Sequence, residues 1–216
     1  MKKRKNANSA IAKSFARPAF DKVVYLFTEG ETELRYLQDL AQGRGVKVVP
    51  VREVSTPWLL TSIARDWAWA NRKLFSSSSS NLIWVVFDDD EKTAEIERTK
   101  NELHNPPRGF RKGGVLPSIS IAYMKPCIEI WGAMCVQGNA KGLPSVHTKM
   151  ESQLKKIMKG YDHDSHRYFD LKQMVKTQQA IALALSWERT HGRFPRCVGS
   201  AARFAGIAAL VKMIVG

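Results

Sequence analysis

The sequence predicts an α/β fold: a mainly parallel sheet flanked by helices, followed by a helical C-terminal part. Three observations carry this. Short runs that are apolar without alternation recur, as buried parallel strands require. Each run is followed by a stretch with apolar residues at helical spacing. The connections between them are short, which favours right-handed strand–helix–strand crossovers within one sheet.

In chain order, Val23–Thr28 reads as the first buried strand. Leu34, Leu37, Leu40 and Ala41 then recur at helical spacing, and Gly43 and Gly45 end that helix. Val46–Val51 reads as a second strand. Thr56-Pro57 opens a second helix through Ile63, Ala64, Trp67 and Ala70, with proline at a favoured first-turn position. Ser76–Ser80 is a polar linker. Leu82–Phe87 is the third strand and Glu91–Leu103 the third helix. Asn105–Gly114 is a basic, turn-rich loop, Leu116–Met124 a fourth strand, and Cys127–Gln137 a helix apolar nearly all round. Val146–Met158, Phe169–Trp187 and Val198–Val215 are periodic enough to be helices. The expected organisation is a flexible basic arm over 1–20, an α/β domain over 21–137, and a helical part over 138–216 packing on the same domain.

At 216 residues, with 44% hydrophobic and 25% charged, the chain has the composition of a globular protein with a sizeable core. Its net charge of +14 favours a polyanionic partner, nucleic acid before an anionic membrane. The N-terminal arm carries Lys2, Lys3, Arg4 and Lys5, and the loop after the third helix carries Arg108, Arg111 and Lys112. Both groups suit salt-sensitive contact with a phosphate backbone, although a solubilising tail and a solvated loop read equally well. No apolar run approaches the ~18 residues of a membrane span, and no hydrophobic signal region follows the basic N-terminus. Three cysteines without a C-x-x-C pair suggest buried thiols in a reducing cytoplasm.

The chemistry concentrates in two acidic strand ends. Val23–Glu33 (VVYLFTEGETE) runs from the first strand into Glu29 and Glu33, and Leu82–Asp90 (LIWVVFDDD) runs from the third into Asp88 and Asp90. In an open parallel sheet, sites form at the C-terminal ends of strands, so these acids should meet at one edge. Carboxylates held together repel by several kcal/mol at low effective dielectric, roughly, and a bound Mg²⁺ or Mn²⁺ with hard oxygen ligands removes that repulsion. Each cluster also has an ordinary structural reading. Thr28-x-x-Glu31 fits a capping box, and Asp88–Asp90 could cap the next helix. Glu129 is a further candidate, because it lies among Cys127, Ile128, Ile130, Trp131, Ala133, Met134 and Val136, where an uncompensated carboxylate is costly. A helix-dipole contact and a metal or substrate contact both remain open for it.

VVYLFTEGETE, IWVVFDDDE, the Pro126–Trp131 block PCIEIW and the terminal GRFPRCVGSAARFAGIAALV together resemble the RloB-like family, which includes the AbiL-type abortive-infection component. The resemblance implies a Toprim-like sheet and a Mg²⁺-dependent (or Mn²⁺-dependent) nuclease acting on DNA or RNA in phage defence, with an ATPase partner supplied by another chain. It implies Glu29 as a metal-site or acid/base residue, Asp88 and Asp90 as metal ligands, Glu33 as a second acid, and Glu129 as the acid of the PCIEIW block. Two positions depart from the family pattern: Lys125 replaces a small polar residue, and Gly132-Ala133 replace bulky leucine. The competing expectation is a non-catalytic nucleic-acid-binding or assembly subunit, in which an oligomer is equally compatible. A phosphatase reading of Asp88-x-Asp90 ranks low because Glu91-Lys92 follows. His163 and His166 beside Asp162 and Asp164 form only a weak zinc pattern and read better as a polar loop. Core packing is the better account of most of the six tryptophans.

Overall fold

A computed structural model describes residues 20–53, 56–75, 80–88, 93–110, 114–162, 168–191 and 206–216. Four strands form one parallel sheet: β1 (Lys22–Thr28), β2 (Val46–Glu53), β3 (Asn81–Asp88) and β4 (Ile119–Met124), in the order β2-β1-β3-β4. Seven helices accompany it among the described residues: α1 (Glu31–Ala41), α2 (Pro57–Ala70), α3 (Thr93–His104), α4 (Ile128–Gln137), α5 (His147–Ile157), α6 (Thr177–His191) and α7 (Ile207–Val215).

The unbroken apolar strands are explained by burial on both faces. Val24, Leu26, Trp84, Val86, Ala122 and Met124 join a core shared with α1 and with α4 to α7. Phe27, Ile83, Val85, Phe87 and Tyr123 alternate with them and pack under α2 and α3. Helix α1 thus covers one face and α2 and α3 the other, as one hand of crossover demands when β2 and β4 lie on opposite sides of the β1–β3 pair.

Several boundaries differ from the sequence expectation. Strand β4 starts at Ile119, not Leu116, because Pro117 has no N–H for a ladder. The Phe169–Trp187 stretch is helical only from Thr177; residues 171–173 form turns, and Asp170 accepts hydrogen bonds from the Lys172 amide and from Gln173 Nε2. Edge strand β2 holds Pro50, and its register with β1 slips so that Leu26 faces Pro50 while Phe27 faces Arg52. The described part of the final helix is Ile207–Val215. The basic arm with Lys2, Lys3, Arg4 and Lys5, most of the serine linker, Asp90, Arg111, Lys112, Asp164, His163, His166 and residues 198–205 lie outside the described residues. Among the described residues no helix is long and apolar enough to cross a membrane.

Helices α2 and α3 are held by one ion pair with little solvent access. Arg65 Nη1 donates to the Glu102 carbonyl and to Glu102 Oε1, both at 2.7 Å. Burial alone would raise the Glu102 pKa, but hydrogen bonds from Asn105, Arg65 and Ser62 outweigh it and leave it lowered. A lowered carboxyl contributes stability above its unfolded value and loses it as pH falls through the folded one. Glu102→Gln should therefore cost about 1–2 kcal/mol at neutral pH. Denaturant titrations at neutral pH and below the ordinary glutamate pKa of 4.5 should show the wild type losing this increment and the variant lacking it at both.

Candidate metal centre

β1 and β3 are neighbours, yet the chain leaves β1 for β2 on one side and β3 for β4 on the other. The crevice between their C-terminal ends is the topological switch point, where open α/β sheets place their sites. Glu29 is the residue after β1, and its amide extends the ladder by donating to the Val86 carbonyl at 3.1 Å. Asp88 is the last residue of β3, and its amide donates to Glu29 Oε2 at 3.2 Å. Register thus brings these two acids together.

Helix α1 begins directly after them. Its N-cap is Gly30, without a side-chain cap. The expected capping box is not formed, because Thr28 is the last residue of β1 and is buried there. Glu31 turns to solvent and pairs with Arg35 one helical turn on, at 3.1 Å. Glu33 is buried and folds back over Gly30, so closely that a Cβ at Gly30 would lie 2.9 Å from Glu33 Oε2. The first-turn position suits a carboxylate, since the helix N-terminus carries partial positive charge.

The fourth acid arrives from the far side of β4. A cis Lys125–Pro126 peptide leads from β4 into α4. The first amide of α4, at Ile128, donates to Asp88 Oδ2 at 3.1 Å within the core. Glu129 follows and is 2% exposed. Its Oε1 accepts a 2.5 Å hydrogen bond from the Tyr161 hydroxyl. Its Oε2 is buried, accepts no hydrogen bond among the described residues, and lies 4.0 Å from Nε2 of His147, the half-exposed first residue of α5. Burial, and then the negative charge of Glu129, raises the pKa of the Tyr161 hydroxyl, so the phenol stays a donor. Burial, then Glu129 and Asp88, raises the Cys127 thiol in the same way.

Glu29, Glu33, Asp88 and Glu129 line one cavity of about 130 Å³, together with Gly30, Thr32, Ile128 and His147. Among the described residues no lysine or arginine lines it. Two larger clefts, of about 220 and 390 Å³, have mixed charged and apolar walls and no converging acids. Chemistry, not volume, therefore locates the candidate site.

Of the residues predicted from sequence, the structure gathers Glu29, Glu33, Asp88 and Glu129. It does not bring Arg108 to them. Helix α3 runs back from the site edge toward the start of β4, so Arg108 lies near the opposite edge, 96% exposed, with its Nε 3.7 Å from Asp66 Oδ2. His147, Tyr161 and Thr32 were not anticipated. His147 lines the cavity and Tyr161 reaches Glu129 through packing of the segment after α4, and no local pattern in the sequence announces either.

The surroundings of Glu129 rest on an aromatic cluster. Trp131 Nε1 donates to the Tyr36 hydroxyl at 2.8 Å, joining α4 to α1. The Phe169 ring packs on Tyr36 and Tyr161, with centroids 5.4 and 5.6 Å away. It also sits against Gly132, where a Cβ would meet Phe169 Cζ at 2.9 Å. The glycine admits the ring.

A family model described as RloB-like protein matches residues 24–214. Searches among curated proteins and among solved structures returned no match.

Gly132→Ala should displace the Phe169 ring and cost about 1–3 kcal/mol through overpacking. Adding Phe169→Leu should restore part of the loss. A double-mutant cycle by chemical denaturation reads the coupling; strict additivity would show that the contact is not tight.

Proposed function

The chain belongs to the RloB-like family, and from that premise and the acid-lined cavity we propose that it is a Mg²⁺-dependent nuclease of Toprim type that cleaves phosphodiester bonds in DNA or RNA during phage defence. The observation that carries this reading is the convergence of Glu29, Glu33 and Asp88 at the β1–β3 switch point, with Glu129 opposite. Hard oxygen donors around a small cavity that no lysine or arginine lines among the described residues fit Mg²⁺ or Mn²⁺. Glu29, Glu33 and Asp88 would hold the ion, joined by Asp90, and Glu129 would face them as the acid contributed by α4. When bound, the ion supplies charge stabilisation for the scissile phosphate and acidifies a water.

The chain's own contribution is positional. The Asp88 amide fixes Glu29, and the Ile128 amide fixes Asp88, each through a named carboxylate oxygen. Neither acid must reorganise before chemistry, which is where electrostatic catalysis draws its advantage. Beyond holding the ion, Glu29 would serve as the acid/base residue that takes the proton of the attacking water. The net charge of +14 supplies long-range attraction for the polyanion. An ATPase partner fits a chain that carries no nucleotide-binding loop of its own.

Asp88→Asn keeps an oxygen for the Ile128 amide and removes the charge. It should lower Mg²⁺-dependent cleavage of linear, nicked or single-stranded substrates by roughly 10²-fold or more, with the fold retained by circular dichroism. Unchanged cleavage in that variant and in the Asp88→Ala, Asp90→Ala pair would sink the assignment. Salt-sensitive binding by the wild type with no turnover at any metal concentration would instead identify a binding subunit.

Gly30→Ala gives a graded test. Gly30 has extended backbone (φ −136°), which any residue adopts, but a Cβ would push Glu33 Oε2 aside. Melting should be nearly unchanged while Mg²⁺ affinity, read by isothermal titration, falls.

A further inference from the structure

On the α4 and α5 side of the cavity, Glu129 belongs to a second donor set of different chemistry. Cys127 Sγ, a Glu129 carboxylate oxygen and a ring nitrogen of His147 lie within 4.8 Å of one another. These three residues come from the N-cap of α4, its second residue and the first residue of α5. An independent observation points the same way: Glu129 is 2% exposed, and its buried Oε2, aimed toward His147, accepts no hydrogen bond among the described residues.

We infer that Cys127, Glu129 and His147 form a site for a divalent ion of the Zn²⁺ class, distinct from the Mg²⁺ position. A thiolate and an imidazole are borderline-soft donors that favour Zn²⁺ and its neighbours over Mg²⁺, while a carboxylate serves either. Three protein ligands with a fourth position open is the pattern of zinc sites that also bind water or substrate. Here the open position faces the cavity, because Glu129 and His147 line it. Tetrahedral Zn–S and Zn–N bonds of about 2.3 and 2.0 Å imply donor–donor spacings of about 3.5 Å. The set needs to contract by only about an ångström, and His147 is half-exposed on the first turn of α5. The Tyr161 hydroxyl on Glu129 Oε1 is the outer contact that orients a ligating carboxylate. On binding, sulfur exchanges its proton for the ion, and the proton passes to solvent. Burial first, and then the charges of Glu129 and Asp88, keep Cys127 a thiol, and those two charges are what a divalent ion would offset.

The site does not depend on nuclease activity, and Co²⁺ tests it directly. Titrating Co²⁺ into the metal-free full chain, with Mg²⁺ in large excess, should produce a near-ultraviolet thiolate-to-cobalt charge-transfer band that saturates at stoichiometric metal. Cys127→Ser should abolish that band, which assigns it to this sulfur and not to Cys135 or Cys197. His147→Gln, at a half-exposed position and with the fold checked by circular dichroism, should weaken Co²⁺ binding roughly tenfold or more. Asp88→Asn should keep the band, so failure of the Mg²⁺ reading leaves this one standing. The proposal is overturned if the wild type shows no band, if the band survives Cys127→Ser, if excess Mg²⁺ removes it, or if His147→Gln binds as tightly as the wild type.

Discussion

Asp88 ties the architecture together. Through its amide it holds Glu29, and through its carboxylate it receives the first amide of α4. One residue at a strand end thus fixes the acid of the neighbouring strand and the start of the helix that carries Glu129. The bond to Ile128 is buried and the bond to Glu29 partly so, and away from water a hydrogen bond to a charged group is stronger than at the surface and its loss more damaging. The positions of β1, β3 and α4 are therefore mutually dependent at the edge where the acids converge.

The aromatic cluster extends that dependence away from the sheet. Tyr36 follows Glu33 by one helical turn, and Trp131 follows Glu129 by two residues, so their 2.8 Å hydrogen bond sets α1 and α4 in register close to both acids. Phe169 closes the arrangement by touching Tyr36, Tyr161 and Gly132. The segment carrying Phe169 forms turns where a continuous helix was expected. Its ring is inserted between two helices, and the local Asp170 and Gln173 hydrogen bonds stabilise the turn that presents it.

How much of this is legible from sequence follows from the range of each interaction. Strands β1 and β3 are legible because burial on both faces leaves an apolar run, and the acids are conspicuous where that run stops. Glu129 is legible because a carboxylate inside an all-apolar helix demands a reason. The capping box failed because Thr28 had already been taken by the β1 ladder, a tertiary claim that local pattern does not reveal. His147 and Tyr161 were invisible for a related reason: their proximity to Glu129 is created by how α5 and the turn after it return to α4. Arg108 is legible as a basic loop residue suited to a phosphate backbone, but its distance from the acids follows only from the direction of α3, which carries it toward the other end of the strands.

Strand β2 forms one border of the sheet, and its Pro50 and the slipped register beside it have a consequence for association. A free strand edge is a template on which another chain can continue the hydrogen-bond ladder. Here the template is interrupted, since proline offers no N–H and Val51 is skipped between the pairs Leu26–Pro50 and Phe27–Arg52. A long incoming strand could not stay in step across that point. The interruption at Pro50 and Val51 thus works against continuation of the ladder along this edge by a second chain.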